Sequence, residues 1–272
     1  SPTRAVASPL VFGLYPAAMA DENELVKVER KGHVLIVSIN RESKRNSVNR
    51  LVADGIDAAL NLLDDDRDLR AGVLTGTRTV FCAGSDLTAN GDYVTKRGGE
   101  YGIIRRRRRK PLIAAVEGFA LGGGLEIALA CDMVVASTTA SFGLPEVRIG
   151  VLAACAGLFR APQSLPLNLA RQLALTGHPI SAERAYAAGF VNLLTEPGRS
   201  LEGALELAAQ VCANAPLAVQ ESLQAINDQR ADEHGRGWEL TNRAQDSVRD
   251  TADWNEGVAS FLERRPPVWT GR

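Results

Sequence analysis

The chain has 272 residues, 45% hydrophobic and 23% charged, with 31 Lys and Arg against 32 Asp and Glu and a formal net charge of −1. That composition excludes disorder, collagen-like repeats and a coiled-coil rod. The balanced charge and 5% aromatic content give neither a global field nor a stacking surface for nucleic acid.

Residues 1–20 are apolar and proline-bearing without a basic start, so they predict a loose N-terminal extension rather than a signal peptide, with Met19 as a natural start. From Leu25 the pattern becomes regular. Leu25–Glu29 alternates, Val34–Ile39 is nearly continuous, and Lys31-Gly32 is turn material, which predicts a hairpin. Val48, Val52, Ile56, Leu60 and Leu63 then share one helical face, closed by Asp64–Asp66. A strand over 72–76 leads to a glycine-bearing loop, Phe81 to Leu87. The polar stretch Thr88–Glu100 is expected to be mobile. Arg105–Lys110 is a basic run predicted to end a helix at Pro111, before a buried strand over 112–116. Gly122-Gly123-Gly124 opens a helix to Cys131, and strands follow near 133–136 and 141–143. A further helix runs between Ser181 as N-cap and Gly189 as the residue after its end. Recurrent strand–helix units predict an α/β core over residues 21–197, and 198–272 read as a helical C-terminal region.

Two loops and two glutamates carry the chemical signal. Glycines at a helix start let a ligand approach backbone N–H groups that have no partner inside the helix, and such groups stabilise negative charge. Neither loop has the spacing of a dinucleotide or P-loop phosphate site. The other obvious anion is an oxygen that becomes negative on a carbonyl, which needs two converging donors. On spacing alone, three glycines serve equally well for tight helix–strand packing, and both readings stand. Glu126 lies in the first turn of an otherwise apolar helix, and Glu146 follows one strand later, after Pro145. Two carboxyls facing one pocket can divide into acid and base. Cys82, Cys131, Cys155 and Cys212 form no C-x-x-C pair, which excludes the common zinc spacings and fits a reducing cytoplasm. No apolar run reaches the roughly 18 residues of a membrane span.

Leu121-Gly122-Gly123-Gly124-Leu125-Glu126 after Lys110–Gly118, with Phe81–Leu87, Phe142–Glu146 and Lys44-Arg45-Asn46-Ser47, resembles the enoyl-CoA hydratase/isomerase, or crotonase, superfamily. So do Leu175–Gly177 and Gly189–Val191. The resemblance spans about Leu25 to Arg264. It implies a spiral of ββα units with a C-terminal helical region, assembled as trimers or hexamers, acting on acyl-CoA thioesters. It implies a pair of backbone donors at Ser85 and Gly123 and paired hydratase glutamates at Glu126 and Glu146. Lys44, Arg45, Ser47, Ala83, Asp86, Leu87, Phe119, Gly122, Pro145 and Ala154 are the implied substrate and coenzyme A contacts. The implied reaction is hydration of a 2-enoyl-CoA, with water activated by Glu126 and a proton delivered to the α-carbon by Glu146. It needs no metal or redox cofactor, coenzyme A being part of the substrate.

One departure follows Gly150. Val151–Gly157 carries Ala153, Ala154 and Cys155 where the family's hydratases are richer in glycine, which leaves an isomerase or a carnitinyl-CoA-type dehydratase as the alternative reaction. Cys155 itself reads as a buried small hydrophobe. The rival of another class is an RNA-binding protein using Arg105–Lys110. The balanced charge and lack of interleaved aromatics favour instead a solvated helix, or pairing with acids across a subunit interface. His33, His178 and His234 read as loop histidines. After Ser200, Leu201, Leu205, Leu207 and Val211 require a surface to bury against, for which a partner subunit is the expectation.

Overall fold

The computed structural model describes residues 24–89 and 91–271; the extension predicted over 1–20 lies outside them. Strands β1 (Val26–Lys31) and β2 (Val34–Ile39) form the expected antiparallel hairpin. Gly32, at φ +58, supplies the left-handed residue its tight turn requires. Helix α1 (Arg50–Asp65) starts where Asn49 Oδ1 accepts the Val52 N–H at 3.1 Å and buries Val52, Ile56, Leu60 and Leu63. Then follow β3 (Ala71–Thr75), the short hairpin β4 (Val94–Thr95) and β5 (Gly99–Glu100), β6 (Leu112–Val116), β7 (Phe119–Leu121), α2 (Gly123–Leu129), β8 (Met133–Ser137) and β9 (Ser141–Gly143). The remainder is α3 (Gly157–Ser164), α4 (Leu167–Thr176), β10 (Ile180–Ser181), α5 (Ala182–Ala187), β11 (Leu193–Thr195), α6 (Ser200–Cys212), α7 (Pro216–Asp228), α8 (Ala231–Val248) and α9 (Ala252–Glu263).

The main sheet runs β1-β2-β3-β6-β8-β11, parallel from β2 onward. Both its faces are covered, which is why β3 and β6 read as unbroken apolar runs rather than alternating ones. A smaller sheet, β10-β9-β7, is extended by a bridge between Cys82 and Ala120. Successive units place one strand in each sheet before turning into a loop or helix, the crotonase-type spiral of ββα units. In the small sheet Cys82 pairs with Ala120 and Ala120 with Phe142. Three residues beyond each of these lie Ser85, Gly123 and Pro145, so three units deliver their following loops to one edge.

Three expectations change. The run Arg105–Lys110 is not helical. Arg106, Arg108 and Lys110 are buried while Arg105, Arg107 and Arg109 are exposed, the period of extended chain, and the following Pro111 itself disfavours helix at Lys110. Arg106 pairs with Asp57 at 2.6 Å and Asp64 at 2.9 Å, Arg108 with Asp132 at 2.6 Å, and Lys110 donates to the carbonyls of Leu63 and Asp66. These charges pair within the chain instead of forming a solvated face. Second, Thr88–Glu100 contains the β4–β5 hairpin, whose buried Thr95 donates to Asp57 at 2.9 Å. Third, Leu201, Leu205, Leu207 and Val211 pack within the chain: α6 covers the face of the main sheet lined by Val73, Ile113 and Val135. Of the histidines, His234 lies in α8, 3.1 Å from Gln163.

Candidate functional site

The site lies at the edge of the small sheet. Its first loop, Ala83–Asp86, is clamped by the segment before α1: Ala83 N–H donates to Arg45 O at 3.0 Å, Val48 N–H to Gly84 O at 2.8 Å, and Asp86 N–H to Val48 O at 2.9 Å. Asn46, fully buried, holds the strand leading in, donating to Val80 O at 2.9 Å and Phe81 O at 3.1 Å and accepting from Arg41 N–H at 2.8 Å. Its φ of +55 is one that asparagine tolerates better than most residues.

The clamp uses the groups on either side of Ser85. Among the described residues neither the Ser85 N–H nor the Gly123 N–H donates a hydrogen bond. Gly123 is the first residue of α2, where helix geometry leaves the N–H without a partner. The two loops touch. A Cβ on Gly84, which sits at φ +97, would lie 2.9 Å from Gly123 N, so only glycine permits the approach. Two free donors thus stand close together, one at a helix start.

Glu126 is 1% exposed. Its Oε1 accepts the Gly157 N–H at 2.8 Å, at the start of α3. Glu146 lies in a 3-10 turn, Pro145–Ile149, with Oε2 buried and lacking a hydrogen-bond partner. A Cβ on Gly122 would lie 3.1 Å from Glu146 Oε1, which places this carboxyl over the start of α2. Burial pushes both carboxyls above their ordinary range, and Glu126 is raised further by Glu146; the Gly157 N–H opposes this only in part. Such a pair holds on to one proton that exposed carboxylates would have lost, so that one member can be protonated while the other is ionised, beside donors able to receive negative charge.

Beside Glu146 opens an apolar cavity of about 200 Å³ lined by Leu144, Val147, Leu152, Ala153 and Ala244, and a neighbouring space shares its Leu158, Ala174 and Leu175. Ala153 rather than Ala154 faces the first cavity. Lys44 and Arg45 are exposed beside the first loop, and Ser47 accepts from Arg41. Asp86 is engaged inside the protein, by Arg41 at 2.7 Å and by Thr88. Leu87 follows it in a short 3-10 turn, Phe119 and Gly122 bracket the strand entering α2, and Pro145 opens the turn of Glu146. Cys155 is buried, with its thiol pushed well above the ordinary range by that burial, and so stays protonated. Sequence reasoning missed Arg41, Asn46, Gly157 and Tyr101. Asn46 stood inside the Lys44–Ser47 motif without a role of its own, while Tyr101 carried no signal in its neighbours.

Among the described residues no group of three or more His, Cys, Asp or Glu side chains could hold a metal ion, and no helix is long and apolar enough to cross a membrane.

Residues 29–272 match the enoyl-CoA hydratase/isomerase family. The chain is 35% identical over 248 residues to the short-chain-enoyl-CoA hydratase of Clostridium acetobutylicum, covering 88% of this chain and 95% of that one. It is 38% identical over 257 residues to a putative enoyl-CoA hydratase of Thermus thermophilus, covering 89% and 99%. Among solved structures, a carnitinyl-CoA hydratase from Mycobacterium avium superposes with a TM-score of 0.86 at 38% identity, over 92% of this chain and all of that one. A fold, a motif set and a length shared this fully leave one assignment: the chain is an enzyme of the enoyl-CoA hydratase/isomerase family.

Proposed function

We propose that the protein adds water across the 2,3 double bond of a 2-enoyl-CoA thioester. The observation that carries this reading is the meeting of Glu126 and Glu146 with the free N–H groups of Ser85 and Gly123 at one sheet edge. Attack of water on the β-carbon moves charge onto the thioester oxygen, where two preorganised donors act most strongly. Glu126 takes the proton of the attacking water and Glu146 delivers one to the α-carbon. Holding water between two carboxyls supplies orientation as well as proton transfer. The acyl chain runs into the apolar cavity beside Glu146. Lys44 and Arg45, exposed beside the first loop, suit coenzyme A phosphates. The reaction needs no metal or redox cofactor.

A second reading is favoured by one observation. Carnitinyl-CoA hydratase and dehydratase structures from Mycobacterium avium stand among the most similar, at 38% and 40% identity. In that reading the same pair removes water from a γ-substituted hydroxyacyl-CoA. The RNA-binding reading lacks support, since half of the basic run is buried and paired. We further propose a cytoplasmic trimer or hexamer. Exposed Leu217, Ile226, Leu240, Phe261 and Leu262 on α7 to α9 support assembly, and a monomer in light scattering at micromolar concentration would contradict it.

The deciding experiment is a panel of enoyl-CoA and hydroxyacyl-CoA thioesters without added metal or nicotinamide. Loss of the conjugated-enone absorbance with short- or medium-chain substrates is expected. Turnover of γ-substituted thioesters alone would replace the first reading by the second.

A further inference from the structure

We infer that Tyr101 is a positioning residue that ties the two N–H donors into one rigid unit, by bonding the Ser85 side chain while its ring wedges against Gly123. The inference rests on reading those N–H groups as the carbonyl-binding pair. Tyr101 Oη lies 2.7 Å from Ser85 Oγ. A Cβ on Gly123 would lie 2.6 Å from the same Oη and 2.7 Å from the ring carbon that bears it, so the tyrosine tip rests on the Gly123 backbone. One hydroxyl therefore touches both residues whose N–H groups are free.

Three features show that this contact is built. Tyr101 is 2% exposed, so its hydroxyl is carried into the interior and needs the partner that Ser85 supplies. Its backbone has φ +55, a region bulky residues rarely occupy and one that clusters at functional sites. That conformation is held by the Tyr101 N–H donating to Tyr93 O at 2.9 Å and by packing of the Tyr93 ring, 4.7 Å between centroids. The chain thus adopts a strained turn that puts this tip under the two loops.

The physical need is clear. Ser85 and Gly123 belong to different units of the spiral, and nothing in either loop alone sets the distance between their N–H groups. Donors stabilise a developing charge fully only when their aim is fixed beforehand. A wedge against one loop and a hydrogen bond to the other fixes it. Burial keeps the Tyr101 hydroxyl protonated well beyond the ordinary tyrosine range, so the tie holds at every working pH.

The test uses full-length protein with Tyr101→Phe, Ser85→Ala and the double variant. Each keeps the backbone donors, and Phe keeps the wedge. Folding is verified by circular dichroism, and Ser85→Ala reports on the same bond if the Phe variant folds poorly. Each single change is expected to lower kcat by about 10-fold with KM unchanged, a fraction of what losing a donor outright costs. The double variant should be no worse than either single, because both remove one bond. The loss should be equal across pH. Bound 4-(dimethylamino)cinnamoyl-CoA, whose absorbance moves to the red when its carbonyl is polarised, should shift less in all three variants than in the wild type. Additive losses, a loss confined to one limb of the pH profile, or an undiminished red shift in Tyr101→Phe would overturn the role of Tyr101 and leave the donor pair standing. A saturated wild type with no red shift would remove the donor pair itself.

Discussion

The two turns that carry the carboxyls are held in opposite ways. Glu126 sits in α2, all of whose residues are buried, and its carboxyl meets the start of α3 thirty-one residues on. The turn Pro145–Ile149 is braced from far away, by the C-terminal end of the chain. A Cβ on Gly257 of α9 would lie 2.1 Å from Ile149 O, and one on Gly150 would meet Asp253 O at 2.5 Å and the Trp269 ring at 3.3 Å. The tail is clasped in turn: Asp253 accepts from the N–H groups of Thr270 at 2.6 Å and Gly271 at 2.8 Å, and Glu256 from Val268 at 2.8 Å. Backbone N–H donors to Asp253, and Arg265 bonded to Glu256, hold both carboxyls below the usual range. A carboxyl on a buried helix inherits its position from local packing. One on a short turn depends on whatever packs behind it. The difference also shows at the oxygens: Glu126 has a fixed partner, while Glu146 keeps one oxygen without any.

The largest expected effect breaks the pair. Glu126→Gln or Glu146→Gln should each slow hydration by about 100- to 10,000-fold. Deuterium uptake at the α-carbon of butyryl-CoA in heavy water, followed by NMR, then separates them. Exchange should survive Glu126→Gln and fall in Glu146→Gln; the reverse pattern would exchange the two roles. If neither substitution slows hydration, the pair is structural.

Two glycine substitutions sharpen the contrast. Gly257→Ala must displace the turn of Glu146, with an expected loss of about 10- to 100-fold in both hydration and α-proton exchange. Gly157→Ala puts a Cβ 2.9 Å from Glu126 Oε1 and from Ala153 Cβ, and should slow hydration about 10-fold while sparing exchange. Equal ratios of the two rates in both variants would show that the carboxyls are not held separately.

The pH profile is the third test. Burial raises both carboxyls, so the limbs of kcat/KM against pH should lie above the ordinary carboxylate range near 4.3. The limbs belong to the pair rather than to either residue. Glu146→Gln should abolish one limb in whatever activity remains, and two unchanged limbs would assign them to other groups.

The smallest effect is on stability. A carboxyl raised in the folded state binds its proton more tightly there than in the unfolded chain, so its contribution is fully present below the unfolded value near 4.3 and is lost as pH rises through the folded one. Glu126→Gln has no such loss. Relative to wild type it should gain stability steadily as pH rises from 4 to 8, read by thermal melting. A constant difference across that range would mean that burial does not perturb Glu126.

The candidate site was legible where chemistry is written into adjacent residues. Gly122 to Glu126 announces a helix start with an acid in its first turn, and the acid's apolar neighbours announce its burial. The Arg105–Lys110 run failed as a guide because its alternating burial is set by Asp57, Asp64 and Asp132, which no local pattern reveals. The apolar residues of α6 called for a surface, and the chain's own sheet supplied it.

What the sequence determined by itself was the β1–β2 hairpin, α1, β3, β6, α2, β8, β9, α5 and the helical C-terminal region, since period two, period 3.6 and glycine punctuation are local properties of the chain. Its motifs, by their resemblance to the family, implied the ββα spiral. What only the tertiary structure decided was convergence. Cys82, Ala120 and Phe142 stand in register across the small sheet, and that alignment brings Ser85, Gly123 and Glu146 to one edge from three separate units. Tyr101 reaches Ser85 and Gly123 for the same reason, and Gly257 reaches Ile149. Such contacts are products of sheet register and helix packing between distant segments, and neighbouring residues carry no trace of them.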